Sequence, residues 1–362
     1  MKHAILILAL AITSSSFAQE SADVINQQAT LTILPMYQQW SSGGTKLFSE
    51  VSSTLHWYQP LSREFSVSLR SSYASSTGNV ASLAGINDMQ VNFNYYLESA
   101  DMVFGLGVNV PSGKNKLTES EFETSYLISN SVFRLQVPHY GSGLNLSPSV
   151  SWALPLSDKV VVGLGAMYFY RGRFDPVTEI TNYDPADEIT LSGGCDVRFD
   201  AMSSLSLDGV FTLFGKDKVK NIEVFSPGKK LLTGMRFKRY FEFDELTLTV
   251  LARFRWGTET RIGNVLLPNA ERVEPDQLEL GGSYLAKLST TVSLRFLLEG
   301  RFFEESADPL SGAALGVVGT GLEISASDYL TIPLQFKYSF GTIKGDVSLS
   351  GLDVAAGLTF TY

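Results

Sequence analysis

The sequence predicts an all-β protein, a transmembrane antiparallel β-barrel of about sixteen strands with short periplasmic turns and longer extracellular loops. Three patterns lead to this prediction. Apolar and polar residues alternate over segments of about ten residues, which is the length of a tilted membrane-spanning strand. Tight turns alternate with longer loops along the chain. The chain ends on an aromatic residue within an alternating segment.

The composition differs from that of a typical soluble domain. Of the 362 residues, 44% are hydrophobic and only 18% are charged, below the roughly 25% that is usual in soluble domains. The net charge of −9 argues against a nucleic-acid partner, because phosphate binding requires a basic surface. The single cysteine, Cys195, excludes an internal disulfide and a cysteine-rich zinc site. No metal or cofactor is predicted.

The start of the chain has the pattern of a bacterial secretory signal peptide. A positively charged start is followed by an apolar stretch at residues 4–12 and by small residues before position 19. A membrane anchor is less favoured, since this stretch is well short of the ~20 residues that span a bilayer. We predict a signal peptide at 1–18, a short periplasmic segment at 19–28 and a single outer-membrane barrel at 29–362.

The alternation predicts which side chains contact lipid. Around Phe104, Leu248 and Phe296 every second residue is large and apolar, whereas most residues between them are glycine, polar or charged. Strands of a soluble sandwich also alternate, but they average about 5 to 6 residues. Longer alternating strands suit a barrel with hydrocarbon outside, water inside and every backbone amide paired by closure. We therefore predict that these three side chains face lipid.

The connections predict the strand number. Seven tight turns are found at residues 59–63, 98–101, 155–158, 200–203, 242–244, 288–289 and 326–328. Eight longer links are found at residues 41–46, 75–87, 111–143, 171–187, 215–229, 257–275, 303–312 and 341–347. Together they join sixteen strands and leave both chain ends on the periplasmic side. Fourteen strands is the alternative if the first pair lies outside the barrel.

The last strand carries a predicted assembly signal. Apolar residues recur at every second position from residue 354 to the end of the chain, with Phe360 and Tyr362 last. This ending resembles the terminal strand by which bacterial outer-membrane barrels are recognised for assembly. It implies two partners, the barrel assembly machinery and the outer-membrane lipid.

Three short motifs carry a resemblance to a known family. They are Gly-Ile-Asn-Asp at 85–88, Gly-Leu-Gly-Val-Asn-Val-Pro-Ser-Gly-Lys at 105–114 and Tyr-Gly-Ser-Gly at 140–143. The segment 85–170 resembles the outer-membrane transport family named for phenol degradation, which is distantly similar to the long-chain fatty-acid channels. The resemblance implies a barrel that passes small, often apolar molecules, and it supplies no ligand residues. Residues 19–28 are too short for the N-terminal hatch of fatty-acid channels.

Alternation also predicts a basic stripe on the inner wall. Seven cations of four neighbouring strands face the lumen by this assignment, namely Arg236, Lys238, Arg253, Arg255, Lys287, Arg295 and Arg301. An Arg or Lys facing mid-bilayer lipid would cost about 2–4 kcal/mol, which favours the inward direction. Two interpretations remain equal: an electrostatic path that favours anions, and a salt-bridged lining that fills the interior.

The third outer loop, residues 111–143, is the longest and is unusually apolar. Thr118 and Glu121 have the spacing of a capping box and predict a short helix. We predict that this loop folds against or into the barrel and narrows it, with Phe122, Tyr126, Phe133 and His139 as the candidate constriction residues. A surface lid or an oligomer contact is an equally weighted alternative.

Catalysis is not predicted. After signal removal the chain has two histidines, His56 and His139, and neither has the partners of a hydrolase site in the sequence. The predicted function is a passive channel or transporter for a small-molecule solute. The alternative is a non-conducting structural or surface-interaction barrel whose outer loops bind a partner. The sequence does not fix the oligomeric state.

Overall fold

The computed structural model describes residues 28–362 except 115, 179, 270–272 and 309. The predicted signal peptide and nearly all of segment 19–28 lie outside the described residues. Within them the chain forms a closed antiparallel barrel of sixteen wall strands, as predicted. The barrel closes because the first strand, Thr30–Ser42, pairs with both Val347–Ala356 and Leu358–Thr361 at the other end of the chain.

The wall contains eighteen strand segments, because two of its sixteen strands are interrupted. The segments are β1 (Thr30–Ser42), β2 (Thr45–Pro60), β3 (Phe65–Gly78), β4 (Leu83–Ile86), β5 (Met89–Leu97), β6 (Met102–Val110), β7 (Asn145–Ser157), β8 (Val160–Arg171), β10 (Glu188–Arg198), β11 (Ser203–Phe214), β14 (Lys229–Phe241), β15 (Asp244–Trp256), β18 (Gln277–Lys287), β19 (Val292–Phe303), β20 (Ala314–Ser327), β21 (Leu330–Ile343), β22 (Val347–Ala356) and β23 (Leu358–Thr361). β4 and β5 follow one another along β3, and β22 and β23 follow one another along β1.

The two ends of the barrel differ, as the connection lengths predict. At the turn end, links of a few residues join the strands, and Asp101 and Glu242 adopt positive φ in two of them. At the loop end, five short strands form a second sheet: β9 (Tyr183–Asp184), β12 (Asp217–Val219), β13 (Ile222–Ser226), β16 (Glu259–Ile262) and β17 (Val265–Pro268). This sheet, which we call the rim sheet, extends the wall beyond the barrel.

Helical structure is confined to two short elements of the described chain. A 3₁₀ turn covers Glu98–Ala100 at the turn end, and helix α1 covers Glu119–Ile128 in the third outer loop. Among the described residues, no helix has the length and apolar character needed to cross a membrane.

The outer surface of the barrel is apolar. Phe104, Leu248 and Phe296 are 43%, 46% and 51% exposed and lie on this surface, as predicted. Their strand neighbours point inward, since successive side chains of a strand alternate between faces. The barrel therefore has its apolar side chains outside and polar groups inside, which is the reverse of a soluble β-sandwich.

An apolar cluster lies inside the loop-end half of the barrel. The third outer loop contributes Ile128, Val132, Phe133, Leu135 and Val137 to it, all of them buried. They pack against inward residues of several wall strands, including Trp40, Phe48, Ala74, Leu315 and Leu349. The loop therefore occupies part of the lumen.

Candidate functional site

The ends of the third outer loop are held together by Asp88. One carboxylate oxygen of Asp88 accepts a hydrogen bond from the Gly113 backbone N–H (2.9 Å), and the other accepts one from the Ser142 N–H (2.7 Å). Gly113 is required here, because an added Cβ would lie 2.1 Å from the Tyr140 carbonyl oxygen. Residues of the three sequence motifs thus meet at one point, where they close the loop at its base.

Helix α1 begins as the sequence predicts. The Glu121 N–H donates to Thr118 Oγ1 (3.4 Å) while the Thr118 N–H donates to Glu121 Oε2 (3.1 Å), and this capping box satisfies two amides of the first turn. Lys114 Nζ donates to Glu121 Oε1 (2.6 Å). That hydrogen bond holds the pKa of Glu121 below its ordinary value. The helix start is therefore fixed by both hydrogen bonding and charge.

The four candidate constriction residues are divided between three environments. Phe133 is fully buried and makes edge-to-face contacts with Trp40 (5.3 Å between ring centroids) and Phe48 (4.9 Å). Phe122 and Tyr126 lie on the exposed side of α1, opposite the buried Thr124 and Ile128, and are 41% and 62% exposed. His139 lines an internal cavity. The structure therefore does not bring Phe122 and Tyr126 together with Phe133.

Amide groups fix the loop on the inner wall. The Gln136 N–H donates to Gln38 Oε1 (2.7 Å), and Gln38 Nε2 donates back to the Arg134 carbonyl oxygen (3.2 Å). The Gln136 side chain donates to Thr54 Oγ1 (2.9 Å) and accepts from Ser52 Oγ (2.6 Å). These bonds satisfy backbone groups that would otherwise be buried without partners.

Arg134 follows the buried Phe133 in the loop and adopts a φ of 50°. Its guanidinium forms an ion pair with Glu279 and approaches Glu299 at 3.6 Å. Both carboxylates belong to the inner wall, on strands β18 and β19. A cation of the loop, Arg134, therefore contacts Glu279 and Glu299, the two carboxylates next to the predicted basic stripe.

The loop-end members of the basic stripe contact this loop or nearby carboxylates. Arg301, only 3% exposed, is 3.4 Å from a Glu299 oxygen and donates to the Val132 carbonyl oxygen. Arg253 donates to Ser131 Oγ (3.2 Å), and Arg255 pairs with Glu274 (2.8 Å). Arg253 and Arg301 thus contact the loop, and Arg255 and Arg301 pair with acids, as in a salt-bridged lining.

The remaining stripe residues lie lower in the barrel. Lys238 pairs with Glu245 (3.5 Å), and Arg295 is 3.9 Å from Glu323. Lys287 is exposed at the last position of β18, and Arg236 faces the lumen at mid-height. The seven cations therefore form two groups, separated along the barrel axis, rather than one continuous stripe.

A cavity of about 540 Å³ runs between the loop and the opposite wall. It extends from Arg171 and Glu188 near the loop end to Asn94 and Val103 near the turn end. Positions 103 to 109 of one lining strand alone span about 20 Å at ~3.3 Å per residue. The cavity thus runs along most of β5 and β6, whereas on β8 and β10 its lining is confined to the loop-end half of the strand.

One wall of this cavity is lined by small uncharged polar groups. We define the polar wall as the inward residues Gln90, Asn92, Asn94, Ser147, Ser149 and Ser151, with Gly105 and Gly107 on the strand between them. Sequence analysis did not identify this wall as a site. The sequence did contain a pattern that indicates this wall. The alternation that places Phe104 and Leu106 outside also places Gly105 and Gly107, on the same strand, inside.

The terminal strand closes the barrel beside the first strand. Tyr362 and Ala29 exchange two backbone hydrogen bonds of 3.0 Å, and the Tyr362 hydroxyl accepts from Trp57 Nε1 (2.9 Å). Phe360 and Tyr362 are exposed on the outer surface. Their role as an assembly signal stays a prediction.

Comparisons with known proteins show the fold. No family model matches the chain, and no curated protein matches it. Among solved structures, CdiB from Acinetobacter baumannii is similar with a TM-score of 0.54 and 8% identity over 93% of this chain and 60% of that one. A bacterial polysaccharide outer membrane secretin is similar with a TM-score of 0.50 and 10% identity over 93% and 99% of the two chains. The CymD monoaromatic hydrocarbon channel has a TM-score of 0.49 and 10% identity over 94% and 90%.

The similarity to CdiB and to the secretin, at 8% and 10% identity, shows the barrel fold alone. The resemblance noted in the sequence agrees with this structure at the level of the barrel fold. At identities this low, function must be argued from the lumen itself.

Proposed function

We propose that this protein is a passive outer-membrane channel for small molecules, with a lumen narrowed by the third outer loop. The elongated cavity along the polar wall carries the proposal, because it leaves a polar path beside the docked loop. Closed barrels with polar interiors and apolar outer surfaces are the architecture of bacterial porins, which supports a location in the outer membrane. Solute, lipid and the assembly machinery are its proposed partners.

The loop determines the width of this proposed channel. Its apolar residues fill the lumen against β1, β2, β20 and β22, so the cross-section that is left lies on the opposite side. In this proposal His139 lines the path that remains, and Phe133 acts indirectly, by anchoring the loop inside the barrel. Phe122 and Tyr126, which point away from the apolar cluster, are available to solutes or partners at the mouth.

Planar-bilayer conductance of the refolded protein tests the proposal. We expect discrete single-channel steps in KCl. A loop-deletion variant joins Gly113 directly to Gly141, which is feasible because Gly113 already lies against Tyr140. This variant should give larger steps, because the docked loop no longer occupies the lumen. Refolding of both proteins is checked by heat-modifiable migration on gels. Absence of current from both folded proteins would reject the channel in favour of a non-conducting barrel.

A further inference from the structure

The chemistry of the polar wall bears on which solutes can pass. Two rows of inward residues cross strands β5, β6 and β7 in register. In each row an asparagine and a serine flank a glycine, and the rows are Asn92, Gly107, Ser147 and Asn94, Gly105, Ser149. These residues present amide and hydroxyl groups to the cavity, and no charged group lies among them.

The glycines bring these polar groups close together. A Cβ added at Gly107 would lie 2.2 Å from Ser147 Oγ and 3.0 Å from Asn92 Oδ1, and one at Gly105 would lie 2.4 Å from Ser149 Oγ. The asparagine and serine side chains therefore extend over the glycine strand. This leaves a shallow surface of alternating donors and acceptors instead of a row of separate side chains.

Most of these groups are free to bind a solute. Within the described residues, the side chains of Gln90, Asn94, Ser147 and Ser149 form no hydrogen bond with the protein, while Asn92 makes one long contact with Ser68 (3.4 Å). Amide side chains both donate and accept hydrogen bonds, and hydroxyl groups do the same. An apolar solute would displace water from these groups without replacing its hydrogen bonds, which is unfavourable.

Charge at the same cavity is nearly balanced. The lining holds three cations, Arg70, Arg171 and Lys230, and two carboxylates, Asp88 and Glu188. Arg171 forms an ion pair with Glu188, and Asp88 is engaged by the amides at the base of the loop. The loop-end arginines of the basic stripe are likewise paired or hydrogen-bonded. A solute in the cavity therefore meets little net charge, which removes the basis for strong ion selectivity.

We propose that the polar wall favours small neutral polyhydroxylated solutes, such as monosaccharides, over organic anions and apolar molecules of similar size. This inference rests on the channel function proposed above. Each hydroxyl of such a solute can exchange its water for an amide or hydroxyl of the wall. Phe169 and Met167 line the cavity as well and offer apolar contact to the C–H face of a sugar ring.

Proteoliposome swelling tests the inference with three probes of similar size: glucose, the anion gluconate and the cation glucosamine. We expect glucose to enter at least about threefold faster than gluconate or glucosamine, because the polar wall has no charged group that would offset the desolvation of a carboxylate or an ammonium group. KCl conductance of the same preparation is measured in parallel. If the preparation conducts KCl but gluconate enters as fast as glucose or faster, the inference is overturned and the proposed channel function still stands. Absence of both current and swelling rejects the channel itself.

A variant pair locates the effect on the wall. Asn94→Leu with Ser149→Leu removes one row, and we expect glucose entry to fall about fivefold or more while KCl conductance changes less than about twofold. Tyr95→Leu is the matched control, because Tyr95 is the neighbouring residue on the outer surface and is 45% exposed. Equal loss of glucose and KCl permeation in the double variant would mean simple narrowing and would count against recognition.

Discussion

Phe133→Ala offers the sharpest perturbation of the docked loop. Phe133 has 0% exposure, and its ring contacts Trp40 and Phe48 inside the barrel. Burial is complete, so the full cost of a core Phe→Ala replacement applies, about 3–5 kcal/mol. The wall strands stay paired without this ring, and we therefore expect the loss to fall on docking of the loop. A loss of 3 kcal/mol corresponds to roughly a 150-fold shift toward the undocked loop.

Two measurements on the refolded variant report this shift. Hydrogen exchange of the segment 130–138 should lose protection by about two orders of magnitude, in proportion to the opened population. Single-channel recordings should show larger or more frequently fluctuating steps. Phe122→Ala is the control from the same loop, since Phe122 is 41% exposed, and we expect it to change docking by less than about 0.5 kcal/mol. If Phe133→Ala matched the wild type in both exchange and conductance, the reasoning that the ring anchors the loop would be refuted.

Three further predictions concern the polar contacts of the loop. Arg134→Gln removes the cation paired with Glu279 and leaves Glu299 with Arg301 alone. We expect weaker docking, by up to about 3 kcal/mol, and a shift of the reversal potential toward cation selectivity in a KCl gradient, and an unchanged potential would contradict this. Asp88→Asn replaces one of two accepting oxygens by a donor, so the amide of Gly113 or of residue 142 loses its partner at a cost of about 1–3 kcal/mol, seen as faster exchange at the loop base and not at the turn end. The lowered pKa of Glu121 means that its contribution to helix α1 is present in full above its ordinary pKa and is lost as the pH falls through the lowered value. Hydrogen exchange of α1 should therefore differ between wild type and Glu121→Gln at neutral pH and converge in strong acid, whereas a difference that persists in acid would exclude the charge of Glu121 as the cause.

The direction of the lumen arginines can be predicted from the sequence, but their partners cannot. Alternation predicts that Arg253, Arg255 and Arg301 face inward, because a charge in lipid is strongly disfavoured, and the structure has them in contact with the loop or with Glu274 and Glu299. It gives no information on what each arginine meets across the lumen. Arg134 reaches the wall only because the loop folds back into the barrel, and this contact changes the electrostatics of the site.

The third outer loop shows the same limit. Its capping box was readable because the residues that form it are three positions apart. The separation of Phe133 from Phe122 and Tyr126 could not be predicted from the sequence. It depends on which face of a short helix meets an apolar patch formed by distant strands. The polar wall was overlooked for a related reason: each of its strands contributes only two or three small residues, which are inconspicuous until three strands lie side by side.

The barrel, its strand number, its apolar outer surface and the difference between its two ends can all be predicted from the amino-acid sequence. These follow from short-range periodicity, since a bilayer selects side chains by strand face and leaves that selection visible in the chain. How the lumen is filled, which cations are paired and where small polar groups form a continuous path become visible only in the folded chain. Those features depend on contacts between residues far apart in sequence, and strand alternation carries no information about such contacts.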